Sequence, residues 1–386
     1  MLRTALNQQK GASNREARLI NRNLIFNLVR AHEPISRADL ARVSGLQRST
    51  VSLSIEELIA DGWICESTPI KTPRGRRPIY LQMNPKRVVI AVDIHPIRAV
   101  LAIVNLAREI ISQHVLPLPQ NPEKALQKII EDIRQMATQD YLFDGIGICL
   151  PGRTDLSRDR LVFAPNLKWP ATDIKARIES ATGLCVAMDN VANACTLSEI
   201  WFSSSAKTQN IVLIEVSEGI GSGIYTNGAL LRGKDGMAGE VGHVQIEPDG
   251  PICGCGNRGC WEVMASNRSA VRYYTELGGT EDYPNFDMVL RLAHQNDAAA
   301  VAALHKMALY LGRGMRIIAS ICAPDEIVVV GEVTMAWPII DSIIEAELRR
   351  PVTTSLPKVR PSYDGTLVRL RSAMALILNE QYQHLY

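Results

Sequence analysis

The chain has 386 residues, 46% of them hydrophobic and 21% charged, which is enough to bury the cores of two or three domains. No apolar run approaches the ~18 residues needed to cross a bilayer, and the first 20 residues lack the apolar segment of a secretion signal. The composition excludes a membrane-spanning protein and predicts a cytoplasmic one without membrane partners.

The net charge of +2 conceals an uneven distribution along the chain. Residues 1–87 hold 15 Lys and Arg against 7 Asp and Glu, a balance of +8, which leaves −6 for the remaining residues. A basic segment joined to an acidic body is the electrostatic footprint of polyanion binding, although solvated charges also cluster by chance.

Two helices are predicted within the basic segment. Residues 13–31 place apolar side chains at helical spacing, namely Ile20, Leu24, Ile25, Leu28 and Val29. Pro34 ends this helix. A second helix begins at Ser36, which forms a capping-box pattern with Asp39, and it is short because Ser44-Gly45 breaks it.

A third helix is predicted from about Gln47 to Ala60, with an inward face made of Val51, Ile55, Leu58 and Ile59. Polar side chains cluster at its start. With one residue of the preceding helix, they form the predicted contacts to phosphates and base edges: Arg37, Gln47, Arg48, Ser49, Thr50 and Ser52. A short helix, a glycine turn and such a helix are typical of a helix-turn-helix whose recognition helix enters the major groove of DNA.

Two short strands, 63–66 and 79–81, are predicted next, and the loop between them forms a basic wing. Arg74, Arg76 and Arg77 make this loop extended, cationic and slim enough for a narrow minor groove. A winged helix used for protein contacts, or a solvated charged loop, is the alternative. The polar start of the third helix and the basic wing together favour DNA.

From residue 87 onward, apolar strands alternate with helices, which predicts an α/β body in two lobes. Buried strands are expected at 88–92, 99–104, 145–150, 211–216 and 326–330, with an amphipathic helix at 125–136. We expect a DNA-binding domain at 1–82, a first lobe at 83–190 plus about 365–386, and a second lobe at 191–364 with the dimerisation surface.

Three of the eight cysteines are clustered behind a histidine. Nine residues separate His243 from Cys253, one separates Cys253 from Cys255, and four separate Cys255 from Cys260. Three thiolates and an imidazole make the closed tetrahedral site of structural Zn²⁺, and the intervening glycines let the loop fold tightly. Free cysteines in a glycine-rich loop are the alternative. Five other cysteines, in apolar surroundings, are predicted to be buried: Cys65, Cys149, Cys185, Cys195 and Cys322.

These segments resemble the ROK family (repressors, open reading frames and sugar kinases), in particular its NagC/Mlc/XylR-type repressors. Residues 36–64 look like the family's winged helix-turn-helix, 75–78 (Gly-Arg-Arg-Pro) like its wing and linker, 164–169 like its Asn-Leu-x-Trp sugar loop, and 239–262 like its zinc and sugar motif. The resemblance implies a mostly α-helical winged head followed by a two-lobe α/β body of sugar-kinase/actin-like (ribonuclease H-like) type.

Carried over residue by residue, the resemblance also implies a sugar site with the zinc site beside it. Its sugar-binding residues would be Asn166, Asn190, Glu240, His243 and Glu262. The motif histidine would serve both the metal and the sugar environment. Small polar side chains on several loops suit a sugar, because each hydroxyl both donates and accepts hydrogen bonds.

The kinase motifs of the family are altered in this chain. The kinases use the Asp of a Glu-Asn-Asp-x-Asn segment as catalytic base, but residues 189–193 read Asp-Asn-Val-Ala-Asn, which places Val191 at that position. Shifting the alignment so that Asp189 took the position of the base would break the match between this chain and the family motif in the residues that follow. Residues 93–97 (Asp-Ile-His-Pro-Ile) replace Asp-x-Gly-Gly-Thr at the phosphates, and 330–332 (Val-Gly-Glu) replace a Gly-Gly near the adenosine. The glycine-rich turn at 218–223 is largely kept, which suggests that it holds the lobes together.

The sequence therefore predicts no catalytic residue and no use of ATP. The hypothesis is a transcriptional regulator, by family analogy a repressor of carbohydrate genes, that binds operator DNA as a homodimer or a dimer of dimers and is nucleoid-associated when bound. A sugar or sugar phosphate would be its effector, although some relatives respond to a regulatory protein instead. The alternatives are a ROK-type sugar kinase with an added DNA-binding head and a scaffold that binds only proteins.

Overall fold

The computed structural model describes residues 14–67, 79–164, 166–202, 208–350 and 356–382. Its N-terminal head contains three helices and a three-stranded antiparallel sheet: α1 (Asn14–His32), β1 (Ile35–Ser36), α2 (Arg37–Ser44), α3 (Arg48–Ala60), β2 (Ile64–Ser67) and β3 (Tyr80–Met83). β3 is the central strand and pairs with both β1 and β2. This arrangement is the expected winged helix-turn-helix, with β1 as an additional strand that the sequence pattern did not indicate.

The turn between α2 and α3 has the local features that its sequence predicts. The Ser36 hydroxyl accepts a hydrogen bond from the Asp39 amide (3.2 Å) at the start of α2, and Gly45 adopts φ 69° at its end. The Asp39 carboxylate bonds the Ser36 hydroxyl (2.6 Å), whereas in a full capping box it would bond the Ser36 amide.

One part of the predicted apolar stripe of α1 is wrong. Ile25 and Val29 are buried, but Ile20 is 57% exposed and Leu24 is 37% exposed. The first turns of α1 instead present arginines to α3, because Arg18 forms an ion pair with Glu57 there. The rotation of the helix about its axis thus follows ion pairs as well as apolar contacts.

The first lobe is built on a five-stranded sheet in the order β10-β7-β4-β5-β6, in which β4 pairs parallel with β7 and antiparallel with β5. Its elements are β4 (Arg87–Ile94), β5 (Arg98–Asn105), β6 (Ile110–Pro117), α4 (Pro122–Met136), β7 (Leu142–Leu150), β8 (Arg153–Thr154), β9 (Leu161–Phe163), α5 (Ile174–Thr182) and β10 (Val186–Asn190). Alternate residues of β4 pack towards α4 and α5 on one face and towards the C-terminal helix on the other.

The second lobe has a sheet in the order β13-β12-β11-β14-β15. Its elements, with the C-terminal helix that returns to the first lobe, are α6 (Val191–Phe202), β11 (Ile211–Val216), β12 (Ile220–Thr226), β13 (Ala229–Leu230), α7 (Trp261–Ala265), α8 (Asn267–Glu276), α9 (Phe286–His294), α10 (Ala298–Cys322), β14 (Glu326–Val330), α11 (Trp337–Leu348), β15 (Lys358–Pro361) and α12 (Val368–Tyr382). The two helices α6 and α12 lie between the two sheets and share one apolar core with both. β11 and β14 have the predicted bounds.

The head is packed against the body through the same core cluster, which continues from α1 and α3 into α6 and α12. Arg87, the first residue of β4, lies at this junction. Its guanidinium stacks 3.5 Å from the centre of the Trp63 ring, donates to the Asp61 carbonyl (2.6 Å) and forms an ion pair with Asp144. Cations and aromatic rings therefore join the two parts where the chain passes from one to the other.

The five cysteines outside the cluster differ in their exposure. Of the five cysteines outside the cluster, Cys149 and Cys195 are buried, but Cys185 is exposed, because it precedes the edge strand β10 of the first sheet. The prediction of a buried thiol was wrong there.

Within the described ranges, every helix is too short or too polar to span a membrane.

Candidate functional site

The four residues with the predicted zinc spacing come together in space. The ligand atoms of His243, Cys253, Cys255 and Cys260 all lie within 4.8 Å of one another. The Cys255 and Cys260 sulfurs are 3.6 Å apart, and His243 Nδ1 lies 3.6 Å from the Cys253 sulfur. Zinc bonds of about 2.0–2.3 Å at tetrahedral angles require ligand separations of about 3.5–3.8 Å. The two separations of 3.6 Å fit that requirement, and the four ligand atoms as a set lie within 4.8 Å.

Backbone hydrogen bonds shape the loop that carries the thiols. The Cys253 amide donates to the Asn257 carbonyl (2.7 Å), and the Gly256 amide donates back to the Cys253 carbonyl (2.9 Å). Gly259 has φ 57°, and a side chain there would collide with the carbonyl of Glu247. The glycine at this position is therefore required for the chain to return towards Cys260.

The pKa values of two thiols in the cluster are shifted in opposite directions. Burial raises the pKa of Cys260 to about 12, whereas the Asn257 backbone amide lowers the pKa of the exposed Cys255. A cluster with a buried thiol of such high pKa favours neutral sulfur unless a cation lies beside it. Zn²⁺ supplies that charge and binds thiolates, so these residues are suited to hold it.

Three predicted sugar-binding residues lie next to this cluster. His243 Nε2, the nitrogen opposite the one that faces Cys253, is 3.8 Å from a Glu240 carboxylate oxygen. The Glu262 carboxylate lies 3.7 Å from the Cys253 sulfur and accepts a hydrogen bond from the Ile220 amide (3.3 Å). The side chains of His243 and Glu240 are 40% and 50% exposed, so their polar atoms are open to a ligand.

The other two predicted sugar-binding residues lie on the first lobe. Asn190 ends β10, and its side-chain oxygen accepts a hydrogen bond from the Asn193 amide (2.8 Å), which caps α6. Asn166 is exposed in the turn between the bridged residues Ala164 and Trp169. The structure records contacts among Glu240, His243 and Glu262 through the metal cluster, but no contact that joins the two asparagines to them in the described residues.

The position that the resemblance assigns to the kinase base holds a buried valine. Val191 is 5% exposed and begins α6. The neighbouring Asp189 is fully buried and is already engaged, since it pairs with Arg232 (2.7 Å) and accepts a hydrogen bond from the Asn193 amide group (3.1 Å). Both carboxylate oxygens of Asp189 therefore have partners within the chain, which argues against promoting Asp189 to catalytic base.

The predicted phosphate side of the cleft contains an arginine. Arg369 of α12 reaches between the sheets and pairs with Asp93 at the end of β4 (2.7 Å) and with Glu215 in β11 (3.5 Å). His95 Nε2 bonds the other oxygen of Asp93 (2.9 Å). The guanidinium thus connects a carboxylate of each lobe where a nucleotide-using relative would need space for phosphates.

Burial and charge act differently on the two carboxylates. Burial works to raise the pKa of Asp93, but Arg369 and His95 outweigh it and hold that pKa below its usual value. Burial raises the pKa of Glu215 to about 7, which Arg369 only partly offsets. Asp93 is therefore the charged partner of Arg369 at neutral pH, whereas Glu215 is close to its midpoint.

The glycine-rich segment at 218–223 differs from its predicted form. Only its beginning is a turn, because Gly221 and Gly223 belong to strand β12. A side chain on Gly219 would collide with Glu262, and one on Gly223 would collide with Thr196 of α6. Close packing of α6 and the Glu262 carboxylate accounts for these glycines without a phosphate ligand.

The predicted DNA-binding residues lie at the start of α3 and beside it. Gln47, Arg48 and Ser49 are exposed, whereas Thr50 and Ser52 are half-buried. Arg37 begins α2 and lies 3.5 Å from Glu66 in an ion pair. The wing residues Arg74, Arg76 and Arg77 lie outside the described residues.

Sequence reasoning missed Arg369 and Glu215, although both carried a signal. Glu215 is the charged residue of the otherwise apolar strand β11, and Arg369 lies in the first turn of α12, just before the apolar run 373–378. A charge in such a position is expected to have a partner. Only the fold shows that the two are partners of each other.

Comparisons with known proteins agree with the resemblance. The ROK family profile matches residues 89–375, and a winged helix-turn-helix DNA-binding profile matches residues 19–64. The xylose repressor of Bacillus subtilis (strain 168) is 32% identical over 345 residues, covering 87% of this chain and 88% of that protein. The DNA-binding transcriptional dual regulator NagC of Escherichia coli (strain K12) is 26% identical, covering 89% of each chain.

Solved structures show similar folds. A ROK family transcriptional regulator, described as a homologue of the E. coli MLC protein, superposes with a TM-score of 0.76 and 27% identity, covering 96% of this chain and 98% of that one. A ROK family glucokinase from Streptomyces griseus, in complex with glucose and AMPPNP, gives 0.69 and 27% identity over 76% of this chain and 99% of that one. The predicted family, two-lobe body and DNA-binding class are confirmed: the chain belongs to the ROK family and carries a winged helix-turn-helix DNA-binding domain in front of the ROK fold.

Proposed function

We propose that this protein is a transcriptional repressor that binds operator DNA through its head. When a sugar or sugar phosphate binds the body, the repressor would leave the DNA or change its arrangement on it. The proposal rests on the position of helix α6. It begins with Val191 at the former base position, next to the predicted sugar ligand Asn190, and it ends at the head. The names of the relatives, xylose and N-acetylglucosamine repressors among them, support the same assignment.

Helix α6 is suited to carry a signal because it is buried along most of its length. Its 12 residues span about 18 Å, and it packs against both sheets and α12. At its C-terminal end, the Arg30 guanidinium of α1 lies 5.4 Å from the Trp201 ring centre and 5.0 Å from the Phe202 ring centre. A shift of α6 at the sugar end would move these rings beneath Arg30.

The sugar is proposed to bind beside the metal cluster. Glu240, His243 and Glu262 would bind its hydroxyls from the second lobe, and Asn166 and Asn190 would bind from the first lobe when the lobes close. Zn²⁺, held by His243 and the three thiolates, would have a structural role, because four protein ligands leave no open coordination position. Its part is to fix the loop from which these carboxylates and the imidazole project.

The proposed DNA contacts are made by the start of α3 and by the basic wing. A homodimer or a dimer of dimers would present two heads to half-sites about one helical turn, or a multiple of it, apart. No phosphoryl transfer is proposed, because Val191 cannot accept a proton and Arg369 lies on the phosphate side. ATP is therefore not expected as a cofactor.

The test measures DNA affinity and sugar affinity separately. Promoter DNA from the protein's own locus is titrated by fluorescence anisotropy at several salt concentrations, with and without each member of a sugar panel that includes xylose and N-acetylglucosamine. We expect an affinity that falls steeply with salt and that one sugar, or its phosphate, changes about 5- to 150-fold. Absence of salt-dependent DNA binding would contradict the proposal and favour a scaffold.

The variant Arg30→Ala tests the role of α6 in the same assay. We expect it to bind DNA and to bind the sugar, measured by calorimetry, while the effect of sugar on DNA affinity is lost. The control Arg18→Ala removes a cation whose recorded ion pair, with Glu57, lies within the head, and it should keep the response. A full sugar response in Arg30→Ala would rule out this route.

A further inference from the structure

An exposed leucine lies on the surface of α3 that the proposal directs towards DNA. Leu53 is 46% exposed, whereas Val51, Ile55 and Leu58 of the same helix are buried in the head. A single exposed leucine is common on protein surfaces, but this one lies on the face of α3 proposed to meet DNA, where an apolar group of the DNA would gain free energy by excluding water from it.

The orientation of α3 follows from its contacts with α1. Glu57 pairs with Arg18, and Asp61, just after the helix, pairs with Arg22 (2.6 Å). At 100° per residue, Leu53 projects from the side opposite the buried Val51 and Leu58, in line with Ser49 one turn before it. The rotation of the helix therefore turns Leu53 outward, and the ion pair of Glu57 with Arg18 lies at one edge of the same face.

The neighbours of Leu53 on this face are suited to base edges rather than to phosphates. Ser49 and Glu56 lie one turn to either side, and both are exposed. A carboxylate is repelled by phosphates but accepts a hydrogen bond from the cytosine amino group, and a serine hydroxyl bonds several base edges. Leucine has no polar group to offer. The apolar group that a base pair presents in the major groove is the 5-methyl group of thymine.

We infer that Leu53 contacts the 5-methyl group of a thymine in each operator half-site and is a specificity-determining residue for DNA recognition. The inference rests on the proposed entry of α3 into the major groove. The residues identified earlier supply hydrogen bonds and charge; Leu53 adds the large apolar side chain that α3 exposes. Removal of one buried methyl group corresponds to about 0.8 kcal/mol, or about fourfold in affinity.

The experiment replaces thymines of the bound promoter fragment by uracil, one position at a time. Uracil retains the oxygens and the pairing of thymine and lacks only the methyl group. Affinity is measured by fluorescence anisotropy with the full-length protein. We expect one thymine in each half-site at which uracil weakens binding of the wild-type protein about fourfold, and more when both half-sites are changed.

Two variants and one control make the result specific to the side chain. Leu53→Ala and Leu53→Gln should bind the thymine operator more weakly and should bind the uracil operator at the sensitive position no worse than the thymine operator. Ile20→Ala removes an equally exposed aliphatic side chain from α1, on the face turned away from α3, and should keep the wild-type uracil profile.

The inference is overturned if the wild-type protein tolerates uracil everywhere, or if both Leu53 variants keep the same sensitive position as the wild-type protein. If one variant does not fold, the uracil scan of the wild-type protein and the other variant still test the role of Leu53. If the wild-type protein binds no DNA, the proposed function itself fails. Binding without any uracil effect leaves that function intact and removes only the role of Leu53.

Discussion

The proposed sugar site and the proposed phosphate side of the body differ in how far their polar groups find partners within the chain. On the proposed sugar side, Glu240 and Glu262 lie beside the cysteine–histidine cluster that includes His243, and the side chains of His243 and Glu240 are partly exposed. On the phosphate side, Arg369 joins Asp93 to Glu215, and each group there has its partner within the chain. The polar groups on the first side remain open to a ligand, whereas the charged groups on the second side already have partners within the chain. In the proposed function, a few side chains account for a ROK fold that recognises a sugar without phosphoryl transfer.

The difference also has an electrostatic reason. Two buried carboxylates facing each other across a cleft need a cation, and a nucleotide-dependent enzyme supplies one with its metal-bound substrate. Here the guanidinium of Arg369 in α12 lies between the two carboxylates. These ion pairs join the two lobes within the chain itself.

The largest expected effect comes from disrupting the metal cluster. Cys260→Ser should lose bound zinc and lower the free energy of unfolding by several kcal/mol, since structural zinc contributes on the order of 10 kcal/mol of binding free energy. Metal content and thermal melting measure it. Cys185→Ser, at an exposed cysteine outside the cluster, is the control. Unchanged zinc content and melting temperature in Cys260→Ser would contradict the zinc assignment.

Removal of Arg369 tests the phosphate side directly. Arg369→Met leaves two carboxylates buried without their cation, which should lower the free energy of unfolding by about 3–5 kcal/mol in urea titrations. Adding Glu215→Gln should recover part of that loss. Arg371→Met is the control, because its partner Asp364 keeps a second arginine, Arg108, and should lose less. Equal losses in the two single variants would show that the buried bridge has no special role.

The pH dependence of stability should distinguish Glu215 from Asp93. A carboxyl group with its pKa raised from 4.5 to about 7 binds a proton in the folded state that the unfolded state has released, so stability falls as pH rises from about 4.5 to 7. Glu215→Gln removes this dependence. Relative to the wild-type protein, it should gain on the order of 1–3 kcal/mol between pH 5 and pH 8, measured by urea unfolding. A pH-independent difference between the two proteins is the contrary outcome.

The smallest expected effect concerns kinase activity, which we expect to remain absent when the residue type of the base is restored. Val191→Asp restores the residue type of the kinase base but leaves Arg369 on the phosphate side, so we expect no ATP-dependent phosphorylation of any sugar in the panel. A coupled ADP-release assay checks this, with the wild-type protein as the baseline. Detectable turnover in the variant would mean that the phosphate side still accepts a nucleotide, and the contrast between the two sides would disappear.

Much of the fold was predictable because its signals are local. The buried strand 211–216 reads as a nearly continuous apolar run, and the helix-turn-helix follows from Ser36, Gly45 and the apolar positions of α3. The metal cluster was predictable for the same reason, since its spacing and glycines lie within one short segment. The assignment of roles to the sugar-binding and DNA-binding residues remains a prediction.

What could not be predicted depends on contacts between distant parts of the chain. Arg369 is separated from Asp93 by most of the body, and no periodicity connects them. The rotation of α1, which exposes Ile20, depends on the ion pair of Arg18 with Glu57 across two helices. Pattern reasoning assigns an apolar residue to the core by default, so it misses positions where charged groups from another segment decide the outcome.

The return of α12 to the first sheet has a consequence for biosynthesis. The helix that covers one face of the strands β4 and β7, and the arginine that pairs with Asp93, are made more than 200 residues after β7. At about 5–20 residues per second, on the order of ten seconds or more pass between them. The nascent protein therefore completes a winged head well before it completes a sensor, and a chaperone that shields an uncovered sheet would find its substrate in that interval.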